Sequence, residues 1–406
     1  MGGHQAEPGA IVRRSMYLIR RYFLLAGALA LASVLAAPAA QADTLTDVLA
    51  CERIDFDSCA ALLQAEAEKT KLEQGLVAVL VDASQPAARR VKVAQVLAAI
   101  DVRSASEVLI SSAQTLQGKP ERVDLLQAAA RLGNAKVAPQ LLDIVEHDGD
   151  VRACTLAAGA LGILHEKKAV AALIRLVGRD DAPRLQAEAA HALGMLGDPQ
   201  AIAPLLALAS RPQVYVPARV QAVDALAALH SAQAVVLATQ LVDAPTRDIG
   251  RAALRVLQAV PTAWTEPAVR FALETPGLRG EAARAVQAMQ LSGCGALLLQ
   301  AMAAPDLDVQ ERPWVLHAIG KLQTPGAGPA LLKQLQVATA EPEKILLLHA
   351  MPEVGDKTVV PELVLILQTA QKPLNNHIIF ALENLTGQRL GPDVVAWRKL
   401  AGLDKP

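Results

Sequence analysis

Ten positions that recur at intervals of roughly 30 residues carry the side chains best suited to chemistry in this sequence. Six of them are charged residues or histidines: His191, Asp224, Arg255, Arg284, His317 and His349. The other four are Gln95, Gln127, Gly159 and Ala381. Imidazoles and carboxylates that converge in space can bind a metal ion, and arginines bind anionic groups. At such spacing these residues can meet only if the fold brings distant segments together.

Standard catalytic motifs are missing from the sequence. It contains no G-x-x-x-x-G-K-[ST] phosphate loop, no G-x-S-x-G nucleophile turn and no C-x-x-C-H haem attachment site. His165 and Glu166 begin an H-E-x-x-H motif, but Ala169 stands where the second histidine should be. We therefore predict a non-enzymatic protein without a cofactor. A metal centre built from the spaced histidines is the alternative.

A recurring turn lies six residues after each of these positions. The turn residues are Asp101, Gly133, His165, Gly197, His230, Pro261, Gln290, Gln323, Gly355 and Gly387. Apolar residues precede each turn at helical spacing, as in RLQAEAAHALGML from Arg184. A second helix is predicted after the turn, with a proline near its start where a missing N–H does least harm. These prolines are Pro139, Pro204, Pro267, Pro329, Pro361 and Pro392.

No segment shows the alternation of polar and apolar residues that is typical of a strand. One helical hairpin is too small to bury its own apolar face, so neighbouring hairpins must stack on each other to form a continuous core of Ala, Leu and Val. The sequence therefore predicts an all-α fold made of about ten stacked hairpins.

The repeated text resembles HEAT-like repeats of the short variety named after phycobilisome lyases, whose pattern is roughly V-R-x-x-A-A-x-A-L-G-x-L-G-D. The matching segments are DVRACTLAAGALG from Asp150, PARVQAVDALAAL from Pro217 and AHALGMLGDPQA from Ala190. The resemblance extends over about residues 75 to 400. It implies a right-handed α-solenoid, a superhelix in which the helix carrying the motif lines the concave side.

The resemblance also implies a structural role for arginines that stand about three turns of helix before the recurring turn residues. They are Arg122, Arg152, Arg184, Arg219 and Arg251. In the family, an arginine here commonly pairs with an acidic residue of the neighbouring repeat. Asp148, Asp150, Asp180 and Asp181 are available for such pairs.

Such repeats occur in lyases, hydroxylases, adaptors and scaffolds, so the resemblance specifies the fold rather than the activity. Deoxyhypusine hydroxylase holds two irons with several His-Glu pairs, whereas only His165-Glu166 has that form here. We predict a scaffold or adaptor that binds a protein partner along the concave face, through the six charged residues and histidines named first. The alternatives are a HEAT-type lyase, a metal-dependent enzyme that uses the histidines, and an assembly factor for exported cofactor proteins.

Residues 1–42 are predicted to be a signal peptide. Arginines 13, 14, 20 and 21 precede the apolar run FLLAGALALASVLAA, and Ala40-Gln41-Ala42 forms a small-x-small cleavage site. RRYFL from Arg20 resembles the twin-arginine export motif, although paired arginines also occur in ordinary signal peptides. An uncleaved membrane anchor is the alternative. We expect a periplasmic or secreted protein without a membrane span after cleavage.

Residues 43–75 match the repeat poorly and are predicted to form a helical cap. Cys51 and Cys59 could form a disulfide there if the chain bends between them, because one continuous helix would hold them about two turns apart. Two reduced thiols are the alternative. The repeat array is predicted for residues 76–385. A closing segment follows over residues 386–406, where Trp397 is expected to seal the last core layer.

Composition restricts the class of partner. Hydrophobic residues make up 52% of the chain, which excludes general disorder. The net charge is −1, and the leader contributes four arginines and one glutamate, so a chain without it carries −4. Aromatic residues make up 2%. An acidic chain without a basic run and with few rings for base stacking is not expected to bind nucleic acid.

Overall fold

The computed structural model describes residues 66–403, with side chains from Glu73 onward. The predicted signal peptide, the predicted Cys51–Cys59 disulfide and most of the predicted cap lie outside this range. Between residues 66 and 403 all regular elements are helices and no strand occurs, which confirms the all-α prediction. None of these helices combines the length and the apolarity that a bilayer crossing requires. The chain divides into two units, residues 1–100 and residues 101–406.

The first unit contains α1 (Glu66–Val81) and α2 (Ala87–Ala99), which pack against each other. In chain order, the helices of the second unit are α3 (Ser106–Gln114), α4 (Glu121–Leu132), α5 (Ala138–His147), α6 (Val151–Ile163), α7 (Val170–Val177), α8 (Pro183–Leu196), α9 (Ile202–Ser210), α10 (Val216–Ala228), α11 (Ala234–Leu241), α12 (Arg247–Ala259), α13 (Glu266–Glu274), α14 (Arg279–Ala288), α15 (Gly295–Ala303), α16 (Arg312–Lys321), α17 (Ala327–Val337), α18 (Glu341–Val354), α19 (Val360–Thr369), α20 (Leu374–Thr386) and α21 (Val394–Leu400).

The helices of the second unit form two layers. From α4 to α20, each even-numbered helix packs against the next even-numbered one, and each odd-numbered helix packs on the even-numbered helix that follows it. The core between the layers consists of buried Ala, Leu and Val side chains. This stacking of hairpins confirms the predicted α-solenoid.

Small residues let the even-numbered helices approach closely. A Cβ added at Gly162 on α6 would lie 2.9 Å from Cα of Ala192 on α8, and one added at Gly194 on α8 would lie 2.9 Å from Cα of Ala225 on α10. No side chain fits between backbones at this distance. The Ala-Gly-rich pattern of the sequence therefore sets the spacing of this layer.

Nine of the ten predicted turn residues adopt a positive φ. Four are glycines (Gly133, Gly197, Gly355 and Gly387), and five carry side chains (Asp101, His165, His230, Gln290 and Gln323). Each follows the end of an even-numbered helix, where a left-handed residue commonly terminates an α-helix. Pro261 is the exception because its ring fixes φ at a negative value. The period in the sequence is thus the period of these left-handed helix ends.

The replacement of Gly197 by alanine should lower the free energy of unfolding by about 1–2 kcal/mol, the cost of holding an L-residue in the left-handed region. Gly197 has φ 69° and ψ 22°, and its added Cβ would meet no atom within 4 Å, so the effect isolates backbone conformation. Gly149→Ala is the matched control, because Gly149 has equal space and no positive φ. Urea denaturation measures both, and equal losses in the two variants would contradict this account.

A buried polar residue stands eleven positions before most turns and joins consecutive helices. Arg90, Cys154, Gln186 and Arg219 donate to the carbonyl groups of Leu80, Ile144, Val177 and Ala209, respectively, at 2.8–3.4 Å. Each acceptor lies in the last turn of the preceding helix, where most carbonyl groups lack a helical partner, although the Ile144 carbonyl also accepts the Asp148 N–H. This donor position therefore stabilises each hairpin junction.

Three of the predicted structural arginines do not occupy this donor position, because Arg152 and Arg184 stand thirteen positions before their turns and Arg251 stands ten. Arg152 and Arg184 are exposed, and Cys154 and Gln186, two residues further along α6 and α8, are buried in their place. Burial also raises the pKa of the Cys154 thiol. The prediction was wrong for these two arginines because the position requires a donor of suitable reach rather than a positive charge.

Of Arg122, Arg219 and Arg251, Arg122 alone makes the predicted pair with an acidic residue of the neighbouring repeat in the described part of the chain. Arg122 pairs with Asp148, and its Nη1 lies 3.8 Å from Asp150. Arg251 donates from Nε to the carbonyl of Gly277 in the next repeat at 2.7 Å. The Arg219 side chain donates a hydrogen bond to the backbone carbonyl of Ala209. Because no carboxylate among the described residues offsets its burial, the pKa of Arg219 is lowered. Ion pairing between repeats is thus one of several ways to satisfy these arginines.

Candidate functional site

The six predicted site residues lie on six consecutive even-numbered helices, from His191 on α8 to His349 on α18. All six are exposed or half-buried. We call the outward side of these helices, which carries His191, Asp224, Arg255, Arg284, His317 and His349, the ladder face. Gln95 and Gln127 are likewise exposed on their own helices.

Two of the ten spaced positions are buried rather than exposed. Glu188 covers Gly159, whose added Cβ would lie 2.3 Å from its Oε1 atom. Ala381 on α20 is also buried, and Phe380 takes the exposed place beside it. Because consecutive helical residues point about 100° apart, a shift of one residue can move a side chain from the exposed side to the buried side. The predicted register therefore fails by one residue in α20.

Arg255 links three successive even-numbered helices. Its Nε and Nη2 atoms donate to the carboxylate of Asp224 on α10 at 2.7 and 2.9 Å, and its Nη1 lies 3.5 Å from Glu281 on α14. Burial lowers the pKa of Arg255, but the two carboxylates outweigh this effect and leave the pKa raised. Arg255 and Asp224 thus hold neighbouring repeats in register, and little of their binding capacity remains for a ligand.

Arg284 lies over an exposed aromatic ring of the next repeat. Its guanidinium carbon is 4.6 Å from the centre of the Trp314 ring, a cation–π geometry, and Glu281 approaches it at 3.4 Å. Trp314 is on α16, one helical turn before His317, so the two residues share the ladder face. The result is a partly apolar patch in which Glu281 offsets the positive charge of Arg284.

The two C-terminal histidines of the ladder face each meet a partner from the following repeat. His317 Nδ1 lies 3.3 Å from Glu353 Oε2 on α18. His349 Nε2 lies 3.0 Å from His377 Nδ1 on α20, and its ring stacks on Phe380 with 4.7 Å between centroids. Burial, with His377 as a second cause, lowers the pKa of His349. The structure does not pair His317 with His349 directly.

His191 is exposed on α8 and forms no hydrogen bond with the other five predicted residues in the part of the chain that the structure describes. Over the same range, no three His, Cys, Asp or Glu side chains converge closely enough to hold a metal ion. The six residues therefore form an extended surface rather than one convergent centre.

Five further residues of the ladder face were missed in the sequence: Glu281, Trp314, Glu353, His377 and Phe380. Glu281, Trp314 and Glu353 stand three or four residues from an exposed spaced position, which places them on the same side of the same helix. A search for polar and aromatic residues at these offsets would have found them. His377 and Phe380 are the exceptions, because they stand three residues apart on α20 and depend on its register shift.

Residues 138–219 match the protein family described as HEAT repeats. No curated protein matches the sequence. The solved structure of YibA from E. coli is 17% identical, covers 62% of this chain and 92% of its own, and has a TM-score of 0.48. Importin beta is 14% identical, with 96% and 61% covered and a TM-score of 0.49. The complex of CpcE and CpcF of phycocyanin lyase from Nostoc sp. PCC7120 is 20% identical, with 77% and 94% covered and a TM-score of 0.30.

Proposed function

We propose that this HEAT-like repeat protein is a non-catalytic scaffold or adaptor that binds a protein partner along the ladder face. The observation that supports it is the position of the aromatic side chains. Trp314 and Phe380, which lie on the ladder face, are 46% and 42% exposed. Folding gains little from rings held in water, whereas exposed aromatic residues beside arginine are typical of binding hot spots.

The packing of the layers supports a concave ladder face. Even-numbered helices approach until Gly162 and Gly194 leave no room for a Cβ, while the odd-numbered helices carry Leu-rich segments such as IAPLLALAS in α9. A two-layer stack bends toward the layer with the shorter spacing between helices. Extended concave surfaces of this kind are what repeat solenoids use to bind partners.

Within this face, the contacts favour the segment from α14 to α20 as the centre of binding. Arg284 and Trp314 form an exposed cation–π pair, and His349 and Phe380 form an exposed stack two repeats further on. Arg255 and Asp224 serve mainly to join repeats, because each satisfies the other's charge. A partner would therefore be bound mainly through these aromatic rings, and the polar residues around them would add further contacts.

The replacement of Trp314 by alanine is expected to weaken partner binding by about 30-fold, the effect of losing about 2 kcal/mol at a hot spot. The partner is first identified by a photo-crosslinking amino acid at position 314 in cells, with position 264 as the control, and its affinity is then measured by calorimetry with purified proteins. Trp264→Ala is the matched variant, because Trp264 is similarly exposed but lies before the odd-numbered helix α13. Equal affinity of the Trp314 variant and the wild type would refute the proposed site, and a loss confined to the Trp264 variant would move the site to the other layer.

We also propose that the protein acts in the periplasm or outside the cell. The basic segment, apolar run and Ala40-Gln41-Ala42 site support export, as does the pair Cys51 and Cys59, which could form a disulfide in an oxidising compartment.

A further inference from the structure

Two imidazoles from successive repeats face each other on the ladder face. His349 Nε2 and His377 Nδ1 are 3.0 Å apart, and the ring centroids are 5.2 Å apart. His349 is exposed and His377 is half-buried, so ions in solution can reach the nitrogens. The pair lies outside the Arg284–Trp314 patch, and metal binding by it does not require the proposed function.

Neighbouring contacts hold the His349 ring in place. Phe380 stacks on it at an interplanar angle of 21°, which restricts its rotation. A neutral imidazole is the form that binds metal ions.

We propose that His349 and His377 together bind one divalent transition-metal ion, Cu²⁺ in preference to Ni²⁺. With metal–nitrogen bonds of about 2.0 Å, nitrogens 3.0 Å apart subtend about 95° at the metal. This is close to the angle between adjacent ligands in square-planar or tetragonal coordination, the geometry of Cu²⁺ and Ni²⁺. Cu²⁺ is the stronger binder at a nitrogen site of fixed geometry.

The proton balance of the pair permits this binding. When both imidazoles are neutral, each carries one proton, and in the metal-free pair one of these protons lies between the two facing nitrogens. When the metal binds, His349 carries its proton on Nδ1 and His377 carries its proton on Nε2. Both facing nitrogens then offer lone pairs, and no proton has to leave the pair.

The site has room for further ligands. Among the described residues no third His, Cys, Asp or Glu side chain converges on the two nitrogens. Glu353 lies one turn from His349 on α18, but its carboxylate is held by His317. Water, or a donor group of a partner, would complete the coordination, so the bound ion should exchange readily.

The test is titration of the full-length protein with Cu²⁺ in a non-coordinating buffer, followed by calorimetry and electron paramagnetic resonance. His4 follows two glycines near the N-terminus, so every sample carries His4→Ala to remove binding at that end. We expect one equivalent of bound Cu²⁺ with hyperfine coupling to two imidazole nitrogens. His349→Ala and His377→Ala should each weaken binding at least about tenfold, since even the loss of a supporting contact has an effect of that size.

His191→Ala is the matched control, because His191 is also an exposed histidine of the ladder face. It should leave the affinity unchanged. The proposal is overturned if stoichiometric binding is absent, if the His349 and His377 variants bind as the wild type does, or if the wild-type spectrum shows coupling to fewer than two imidazole nitrogens. The last criterion uses the unaltered pair, so it holds even if a variant fails to fold.

Discussion

Replacing Arg122 by methionine is expected to lower the free energy of unfolding by about 3 kcal/mol. The Arg122 side chain is 3% exposed and pairs with Asp148, which is 14% exposed, at the end of α5. Methionine keeps much of the apolar packing but leaves this carboxylate without its cation. The expected loss lies at the low end of the range for broken buried pairs, because Asp148 keeps some contact with water and accepts the Asp150 N–H at 2.9 Å.

The measurement is urea denaturation of the wild type and the variant at pH 7. Arg152→Met is the control, because Arg152 is exposed on the neighbouring helix α6. Its effect should stay within about 0.5 kcal/mol. Similar losses in both variants would show that the pair with Asp148 is not what stabilises this junction.

The same pair predicts how the effect of the substitution changes with pH. The hydrogen bond from Arg122 lowers the pKa of the Asp148 carboxyl below the unfolded value of about 3.9. A group whose folded pKa is lowered contributes its stability above the unfolded pKa and loses it as the pH falls through the folded pKa. The difference between wild type and Arg122→Met should therefore shrink below about pH 4. A difference that stays constant to pH 2 would contradict the ion-pair explanation.

The repeat architecture could be predicted because two physical requirements recur along the array. The even-numbered helices must end at equivalent positions in their hairpins. At every predicted turn except Pro261, a left-handed residue such as Gly197 or His165 terminates the helix. Small residues such as Gly194 must recur where neighbouring backbones touch. Both requirements restrict residue type at fixed positions, so they leave a visible period in the sequence.

The contacts between repeats could not be predicted to the same degree. They depend on how far each helix is rotated and shifted against the next, and spacing along the chain does not determine this. His317 and His349 stand one repeat apart in the sequence, yet each contacts a different residue of the following repeat, Glu353 and His377. Phe380 reaches the ladder face only because α20 is shifted by one residue.

The donor position before each turn shows a further limit. Arginine fulfils it in Arg90 and Arg219, but Cys154 and Gln186 donate to equivalent carbonyls. A search for arginine alone therefore selected Arg152 and Arg184, although both are exposed. The physical requirement is a hydrogen-bond donor next to unpaired carbonyl groups, and several residue types satisfy it.

The replacement of Trp397 by alanine is expected to lower the free energy of unfolding by about 3–5 kcal/mol, as for other large core residues. Trp397 on α21 is 0% exposed, and its indole Nε1 donates to the Gly391 carbonyl at 2.9 Å. Alanine removes this bond and leaves a cavity beneath α19, against which α21 packs. Trp264→Ala is the control: Trp264 is 56% exposed, so its loss should cost little.

The location of the damage distinguishes a stacked array from a single cooperative core. In the second unit the even-numbered helices contact their neighbours along the stack, so a defect at α21 reaches distant repeats only through every hairpin between. Hydrogen exchange in Trp397→Ala should therefore accelerate in α19, α20 and α21 and stay at wild-type rates in α4 to α8. Equal acceleration in all of these helices would mean that the hairpins unfold as one unit. The loss of contacts at one junction, such as the Arg122–Asp148 pair, would then destabilise the whole array rather than only the helices that the junction connects.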